Sequence, residues 1–204
     1  MRKPPEQPDD TRAGIRLTAG SLRSRIIQCP QTGGVRPMLN RTRMALFNVL
    51  GAMVRGAQVW DCFAGSGLLG LEAVSRGASH CMFIEKDPVH ARVVQANIDS
   101  LGLRGCCTLV RGSTFDLLRE GAPPLPHMPA RLVFLDPPHA MIENESGPFW
   151  PWLAALPGTG LLDQATVLCV GHAADLPWPD NRPAYTVTDH RTYGSVGFTL
   201  LRQA

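Results

Sequence analysis

The chain lacks several features that would place it in common protein classes. Its six cysteines show no C-x-x-C spacing, and we interpret them as reduced, structural residues. No apolar run approaches the ~18 residues of a membrane span, and the N-terminal stretch "MRKPPEQPDDTRAG" lacks the apolar centre of a signal peptide. The histidines other than His139 are scattered without ligand spacing. We therefore expect a cytoplasmic protein with no metal and no contact with a membrane.

Lysine is scarce, and the basic charge is unevenly distributed. Only two of the 20 basic residues are lysine. Residues 1–55 carry ten Lys/Arg against three Asp/Glu, a balance of +7, whereas residues 56–204 carry ten against fourteen, a balance of −4. A GC-rich genome would explain the preference for arginine, but it would not explain the clustering. Because the planar guanidinium suits bidentate contact with phosphate or guanine, the cluster favours a nucleic-acid partner.

Three segments are predicted from composition and periodicity. Residues 1–14, rich in proline and charge, are predicted to be a disordered tail. Residues 15–55 are predicted to form a basic extension, with a β-hairpin turning at Ala19-Gly20-Ser21 and an amphipathic helix from Asn40 to Leu50. Residues 56–204 then alternate strands and helices, which indicates one α/β domain.

The strand pattern of this domain predicts the fold class. Short apolar strands alternating with helices are typical of a parallel sheet that is covered on both faces. The last two strands follow each other without a helix, so the sheet should end in an antiparallel edge. The predicted strands are "QVWDCF", "HCMFIE", "CCTLV", "RLVFL", "ATVLCV", "AYTVTDH" and "SVGFTLL".

A glycine-rich turn follows the first of these strands. In "DCFAGSGLLG" three glycines have the spacing of the dinucleotide-binding fingerprint, after a strand and before a helix. Glu85 ends the next strand and could accept both hydroxyls of a ribose. Both features fit any adenosine-type cofactor, so a nicotinamide oxidoreductase and an S-adenosylmethionine enzyme are both open. A third possibility is a purely structural turn without a ligand.

Asp61, four residues before the first glycine of the turn, favours the methyl donor. A carboxylate beside a pyrophosphate would repel it. S-adenosylmethionine has no phosphate, and it carries an ammonium and a sulfonium centre that are both attracted by a nearby anion.

The stretch "LVFLDPPHA" predicts the catalytic motif. In an open α/β sheet, ligands bind at the carboxyl ends of the strands, where Asp136 would lie. Pro137 and Pro138 remove two backbone donors and restrict the chain to extended geometry. Asp136 and the carbonyl of Pro137 could together accept the two hydrogens of an exocyclic amine and orient its lone pair. The alternative is a strand that simply ends in a proline-rich turn.

The chain resembles the RsmD-type family of bacterial 16S ribosomal RNA guanine 2-amino methyltransferases from about residue 15 onward. The similarity rests on "AGSLRSR", "VRPMLNRTRMALFN", "DCFAGSGLLGLEAVSRGA", "FIEKD", "LVFLDPPH" and "RTYGSVGFTLL". It implies a class I methyltransferase fold, which is Rossmann-like with a seven-stranded, mostly parallel sheet, in residues 56–204. It also implies S-adenosylmethionine as the donor and a guanine of 16S rRNA as the target, in the small subunit or an assembly intermediate. We expect a monomer.

The resemblance and the motifs together assign three sets of residues. The catalytic motif is Asp136, Pro137, Pro138 and His139. The cofactor site is Asp61, Phe63, Ala64, Gly65, Ser66, Gly67, Glu85, Lys86, Ser113 and Thr114. The arginines expected to grip rRNA phosphates are Arg16, Arg23, Arg25, Arg36, Arg41 and Arg43.

Three positions depart from the family pattern. His139 stands where the family usually has Tyr or Phe, whose ring stacks on the extruded base, and imidazole offers less stacking area. Ser113 replaces an acid that commonly contacts the adenine amine, and Asn40 replaces the usual acid before "R-T-R". An RNA-binding relative without catalysis is therefore an alternative. An enzyme acting on DNA adenine is another, although 204 residues leave little room for a target-recognition domain.

Overall fold

The computed structural model of the protein describes residues 14–30, 40–119, 129–176 and 184–204. Arg36 and all but the last residue of the predicted tail lie outside these ranges. The strands are β1 (Ile15–Arg16), β2 (Ile26–Ile27), β3 (Gln58–Asp61), β4 (His80–Glu85), β5 (Cys107–Arg111), β6 (Ala130–Leu135), β7 (Leu162–Ala173), β8 (Tyr185–Tyr193) and β9 (Val196–Gln203). The helices are α1 (Asn40–Leu50), α2 (Leu68–Ser75), α3 (Pro88–Ser100), α4 (His139–Glu143) and α5 (Phe149–Ala155), with short 3-10 helices at Gly51–Val54 and Thr114–Leu118.

Seven strands form one sheet in the order β5-β4-β3-β6-β7-β9-β8. Strands β3 to β7 pair in parallel, whereas β9 pairs antiparallel with both β7 and β8. The predicted class I methyltransferase architecture, mostly parallel with an antiparallel edge, is confirmed. The chain runs outward from β3 to β5 and then returns to β6 on the other side of β3. This reversal creates a switch point between β3 and β6, where open sheets of this kind bind ligands.

Alternate residues along the strands point into two separate hydrophobic cores, one on each face of the sheet. Val59 and Phe134 point to the face that also buries α1, α2 and α3, whereas Trp60 and Val133 point to the face covered by α4 and α5. Both faces of the parallel strands are therefore removed from water, as their almost uninterrupted apolar sequences require. Among the helices of the described ranges, none is long and apolar enough to cross a membrane.

The N-terminal hairpin packs directly on the first face of the sheet. Ile15 pairs with Ile27 in an antiparallel ladder shorter than the sequence suggested. Both side chains are buried in the same cluster as Leu46 and Phe47 of α1 and Phe134 of β6. The basic extension thus contributes to the core on this face of the sheet, and its position relative to the sheet is fixed by packing.

Candidate active site

The glycine turn after β3 has the backbone geometry that only glycine adopts readily. Gly65 and Gly67 have φ angles of 56° and 80°, in the left-handed region, and Gly67 is the N-cap of α2. Gly70 serves packing instead. A Cβ at Gly70 would lie 2.3 Å from a ring carbon of Phe83 and 2.5 Å from the sulfur of Cys81, so only glycine lets α2 approach β4 this closely.

Asp61 is the last residue of β3 and lies beneath this turn. Its side chain is 2% exposed, and one carboxyl oxygen accepts a hydrogen bond of 2.9 Å from the backbone N–H of Gly70. Burial raises the pKa of Asp61 to about 8, the Gly70 hydrogen bond opposes this rise, and the negative charges of Asp136 and Glu85 add to it. A positively charged ligand group would stabilise the ionised form of Asp61.

The three acids predicted from strand ends do come together. Asp61 pairs with Phe83 of β4 on one side and Phe134 of β6 on the other. Glu85 and Asp136 therefore each lie two residues beyond their strand's partner of Asp61, at the carboxyl edge of the sheet. The result is a concentration of carboxyl groups at the switch point.

Glu85 is held at the mouth of the glycine turn. One carboxylate oxygen accepts from the N–H of Gly65 and the other from the N–H of Asp87, both at 2.8 Å. The neighbouring Lys86 is exposed. Asp87 then caps α3, accepting from the N–H groups of Val89 and His90, and these two bonds lower its pKa. The loop between β4 and α3 is therefore rigid where the predicted ribose site lies.

Residues after β5 close the other side of the turn. Ser113 accepts a 3.3 Å hydrogen bond from the N–H of Phe115 and remains partly exposed. Thr114 is buried, and its hydroxyl donates to the carbonyl of Cys62. The hydroxyl of Thr114 therefore stabilises the loop after β3. A direct contact between Thr114 and the cofactor is still a prediction.

The interior of the turn is fixed by neighbouring elements. Ala64 and Ser66 are both buried. The N–H of Ala64 donates to the carbonyl of Ile84, and the carbonyl of Ser66 accepts 2.9 Å from the side chain of Asn97. Asn97 also exchanges two hydrogen bonds with the backbone of Gln28 in the extension. The glycine turn is thus tied to the N-terminal segment by one amide side chain.

Phe63 extends from the turn into the second core. Its ring centroid lies 6.1 Å from that of Phe115 and 6.4 Å from that of Phe149. The contact links the turn to α5 and to the 3-10 helix after β5. Phe63 stays partly exposed.

Asp136 follows β6 directly and is partly buried. Burial raises its pKa to about 6, and the positive charge of His139 opposes the rise. Pro137 is buried, whereas Pro138 is exposed and is the N-cap of α4, with its carbonyl accepting 2.8 Å from the N–H of Met141. The predicted proline turn is therefore followed at once by a helix beginning at His139, which the sequence did not indicate.

Gly171 is a site residue that sequence reasoning missed. It lies in β7 beside Asp136, and a Cβ there would be 2.1 Å from the carboxylate oxygen Oδ1. The missing side chain provides the space in which the Asp136 carboxylate lies. The available signal was a glycine inside a strand, which often marks a close approach by another group.

The predicted RNA-binding arginines divide into two kinds. Those on the surface are Arg16, Arg23, Arg25 and Arg41. Arg43 is a correction: its side chain is 0% exposed, and its Nε lies 3.5 Å from a carboxylate oxygen of the equally buried Glu72. Its guanidinium also donates to the carbonyl of Arg16 and to Asn40. It therefore binds the extension to α2 from within and does not reach solvent.

The same buried carboxylate anchors the hairpin. Glu72 accepts hydrogen bonds from the hydroxyl and N–H of Thr18, from the N–H of Ala19 and, at 2.8 Å, from Arg76. Arg76 also lies over the ring of Phe47 at 4.6 Å. A buried carboxylate needs such partners, and the charge of Glu72 explains why Arg43, unlike the surface arginines of the extension, is internal.

Strand order, glycine turn and strand-end acids together define a class I methyltransferase. The family model described as "Conserved hypothetical protein 95" matches residues 15–202. The chain belongs to this family, and the predicted membership of the RsmD-type methyltransferases is confirmed.

Similar proteins cover nearly the whole chain. Ribosomal RNA small subunit methyltransferase D of Haemophilus influenzae is 33% identical over 198 residues, which is 95% of this chain and 96% of that protein. The solved structure of yhhF from Escherichia coli has a TM-score of 0.77 at 29% identity and covers 93% of this chain and 97% of its own. An RNA methyltransferase from Salinibacter ruber, solved with S-adenosyl-L-homocysteine, shares the fold at 14% identity and a TM-score of 0.56, over 81% of this chain and 92% of its own.

Proposed function

We propose that the protein transfers a methyl group from S-adenosylmethionine to the exocyclic 2-amino group of a guanine in 16S ribosomal RNA. Family membership and the name of the Haemophilus influenzae relative support an rRNA methyltransferase. The observation that carries the proposal is the meeting of Asp61, Glu85 and Asp136 at the switch point of the sheet.

The residues of the turn fit this cofactor better than a dinucleotide. The carboxyl of Asp61 is buried close to two further acids, with a pKa raised to about 8. Such a site attracts an ammonium or sulfonium and repels a pyrophosphate, which disfavours the nicotinamide alternative. Asp61 would hold the amino-acid end and Glu85 the ribose hydroxyls, with Gly65 and Gly67 lining the floor.

The remaining predicted contacts lie around the adenosine end. Ser113, partly exposed, can still accept one hydrogen bond from the adenine amine. Lys86 follows Glu85 at the surface and would cover the ribose. When bound, S-adenosylmethionine supplies an electrophilic methyl group.

Asp136 and Pro137 would prepare the nucleophile. The amine of guanine is a weak nucleophile because its lone pair is delocalised into the ring. The carboxylate of Asp136 and the carbonyl of Pro137 each accept one of its two hydrogens, which turns the lone pair out of the ring plane. The carboxylate also stabilises the positive charge that develops on the nitrogen and can take the proton that the nitrogen then loses.

His139 would lie against the extruded base. It begins α4 immediately after the two prolines, so its position relative to Asp136 is set by a short, restricted segment. Its imidazole offers a smaller stacking surface than the usual phenol or phenyl ring. We therefore expect a weaker stacking contact with the base than a Tyr or Phe at this position would give.

A transfer assay tests the proposal. Small ribosomal subunits from a strain lacking the modification are incubated with the protein and tritiated S-adenosylmethionine, and the labelled nucleoside is identified by digestion and mass spectrometry. We expect label in N2-methylguanosine. Binding of cofactor and subunit without transfer would show a non-catalytic relative, and label in another nucleoside would show a different target.

A further inference from the structure

The end of β8 contains a feature that methyl transfer does not use. "RTYGS" includes Tyr193, the last residue of β8, which pairs with Val196 of β9. Because β8 runs in the same direction as β6, Tyr193 lies at the same sheet edge as Asp136. Three strand spacings of ~4.8 Å, or ~14 Å in all, separate β6 from β8.

Three side chains lie against one another at this edge. Phe198 is fully buried, and its ring stacks on that of Tyr193 with centroids 6.2 Å apart and an angle of 22° between the planes. The guanidinium carbon of Arg41, from the start of α1, lies 5.7 Å from the centroid of the Tyr193 ring, within cation–π range. Tyr193 is partly buried and Arg41 is exposed. The three side chains thus range from a buried ring to an exposed guanidinium.

A second arginine, Arg191, lies two residues before Tyr193 in β8 and is paired with an acid. Its guanidinium donates two hydrogen bonds to the carboxylate of Asp189, at 2.9 and 3.1 Å. Arg41 is therefore the group of this cluster that offers both a positive charge and a flat face to a partner.

We propose that the outer face of the Arg41 guanidinium stacks on an unpaired RNA base next to the target guanine. This inference rests on the proposed function, because it takes the RNA bound at Asp136 as the partner. Guanidinium planes and aromatic rings are the surfaces on which proteins hold splayed-out RNA bases. The ~14 Å between β6 and β8 places this contact at a flanking nucleotide and not at the methylated one.

This role differs from the phosphate contact that the sequence predicts for Arg41. A monodentate phosphate contact needs only the positive charge, so lysine would replace arginine there with little loss. A bidentate phosphate contact needs the guanidinium fork but not the ring of Tyr193, so a variant at Tyr193 distinguishes it from stacking. A stacking contact needs the planar group, which lysine lacks. Phosphate contacts also govern the dependence of binding on salt, whereas stacking does not.

The experiment measures the affinity of Arg41→Lys for unmodified small subunits across a range of salt concentrations. We expect binding about tenfold weaker than wild type, the size of one lost stacking contact, with an unchanged salt slope. Arg104→Lys is the matched control, since Arg104 lies at the surface beside Asp99, after α3, and it should bind as wild type does. Wild-type affinity in Arg41→Lys would overturn the stacking role.

A second variant tests whether a loss of affinity in Arg41→Lys comes from the stacked guanidinium or from a lost phosphate contact. Tyr193→Leu removes the ring that supports the guanidinium and should also weaken binding about tenfold. The double variant should be no weaker than either single one, because both changes remove the same stack. Additive losses would contradict a shared stack. Methyl transfer by the wild-type protein separates the two proposals: if it occurs while both variants bind normally, only this inference fails.

Discussion

The substitution Gly171→Ala should separate catalysis from folding in this protein. The new Cβ would stand 2.1 Å from Oδ1 of Asp136, whereas ordinary contact begins near 3.4 Å. The oxygen must therefore move by about 1.3 Å, which places it outside the tolerance of a reacting group.

The expected cost follows from this displacement. Oδ1 is the free end of a short side chain, so Asp136 can rotate away without shifting the strands. Stability should change little. A misplacement of ~1 Å can cost ~10²-fold in rate, so we expect kcat to fall by about that factor. The affinity for S-adenosylmethionine should stay unchanged, because the turn around Asp61 lies on the other side of the switch point.

Three measurements check this prediction together. Single-turnover transfer gives the rate, calorimetry gives the cofactor affinity, and thermal unfolding reports the fold. Gly105→Ala is the control, since its Cβ would meet nothing within 4 Å. A Gly171→Ala protein that is folded, binds cofactor and transfers methyl groups within threefold of wild type would refute the catalytic placement of Asp136.

Three further predictions follow from charge. The transfer rate should rise with pH and level off above about 6, because Asp136 accepts the amine only when ionised; a flat single-turnover profile between pH 5 and 7 contradicts this. Cofactor affinity should strengthen up to about pH 8 as Asp61 loses its proton, and calorimetry of Asp61→Asn should show weaker binding without that dependence. Replacing Arg23 and Arg25 with alanine should flatten the salt dependence of RNA binding by ~0.7 to 0.9 per lost contact; an unchanged slope would rule out phosphate contacts there.

Elements with strong local signals were predictable almost to the residue. The helix Asn40–Leu50 and the strand His80–Glu85 match the expectation, because Asn40 and apolar periodicity mark the helix and a short apolar run marks the strand. The sequence also predicts a helix around Ser113 to Glu120, of which Glu120 lies outside the described residues. The structure has a 3-10 helix over Thr114–Leu118, which is too short for periodicity to distinguish from an α-helix. Strand β7 extends beyond the predicted "ATVLCV" at both ends, because Leu162 pairs with Ala130 of β6 and the last residues pair with the distant β9.

The site likewise contains residues that the sequence predicts and features that it does not. Asp61, Glu85 and Asp136 could be grouped from sequence because parallel strands end at a common edge. The burial of Arg43 could not, since it depends on Glu72 in another helix. The space beside Asp136 depends equally on Gly171, a residue of a neighbouring strand. Such features come from tertiary contacts, which no local pattern contains.

The measurement that tests the account most directly is the single-turnover rate of Asp136→Asn at saturating RNA and cofactor. The amide has the shape of the carboxylate and its oxygen can still accept one amine hydrogen, but it carries no negative charge to stabilise the positive charge on the nitrogen and cannot take the proton. We predict a loss of about 10²- to 10³-fold, comparable to removing one preorganised electrostatic group, with both affinities retained. A wild-type rate in this variant would contradict the claim that Asp136 orients and activates the nitrogen.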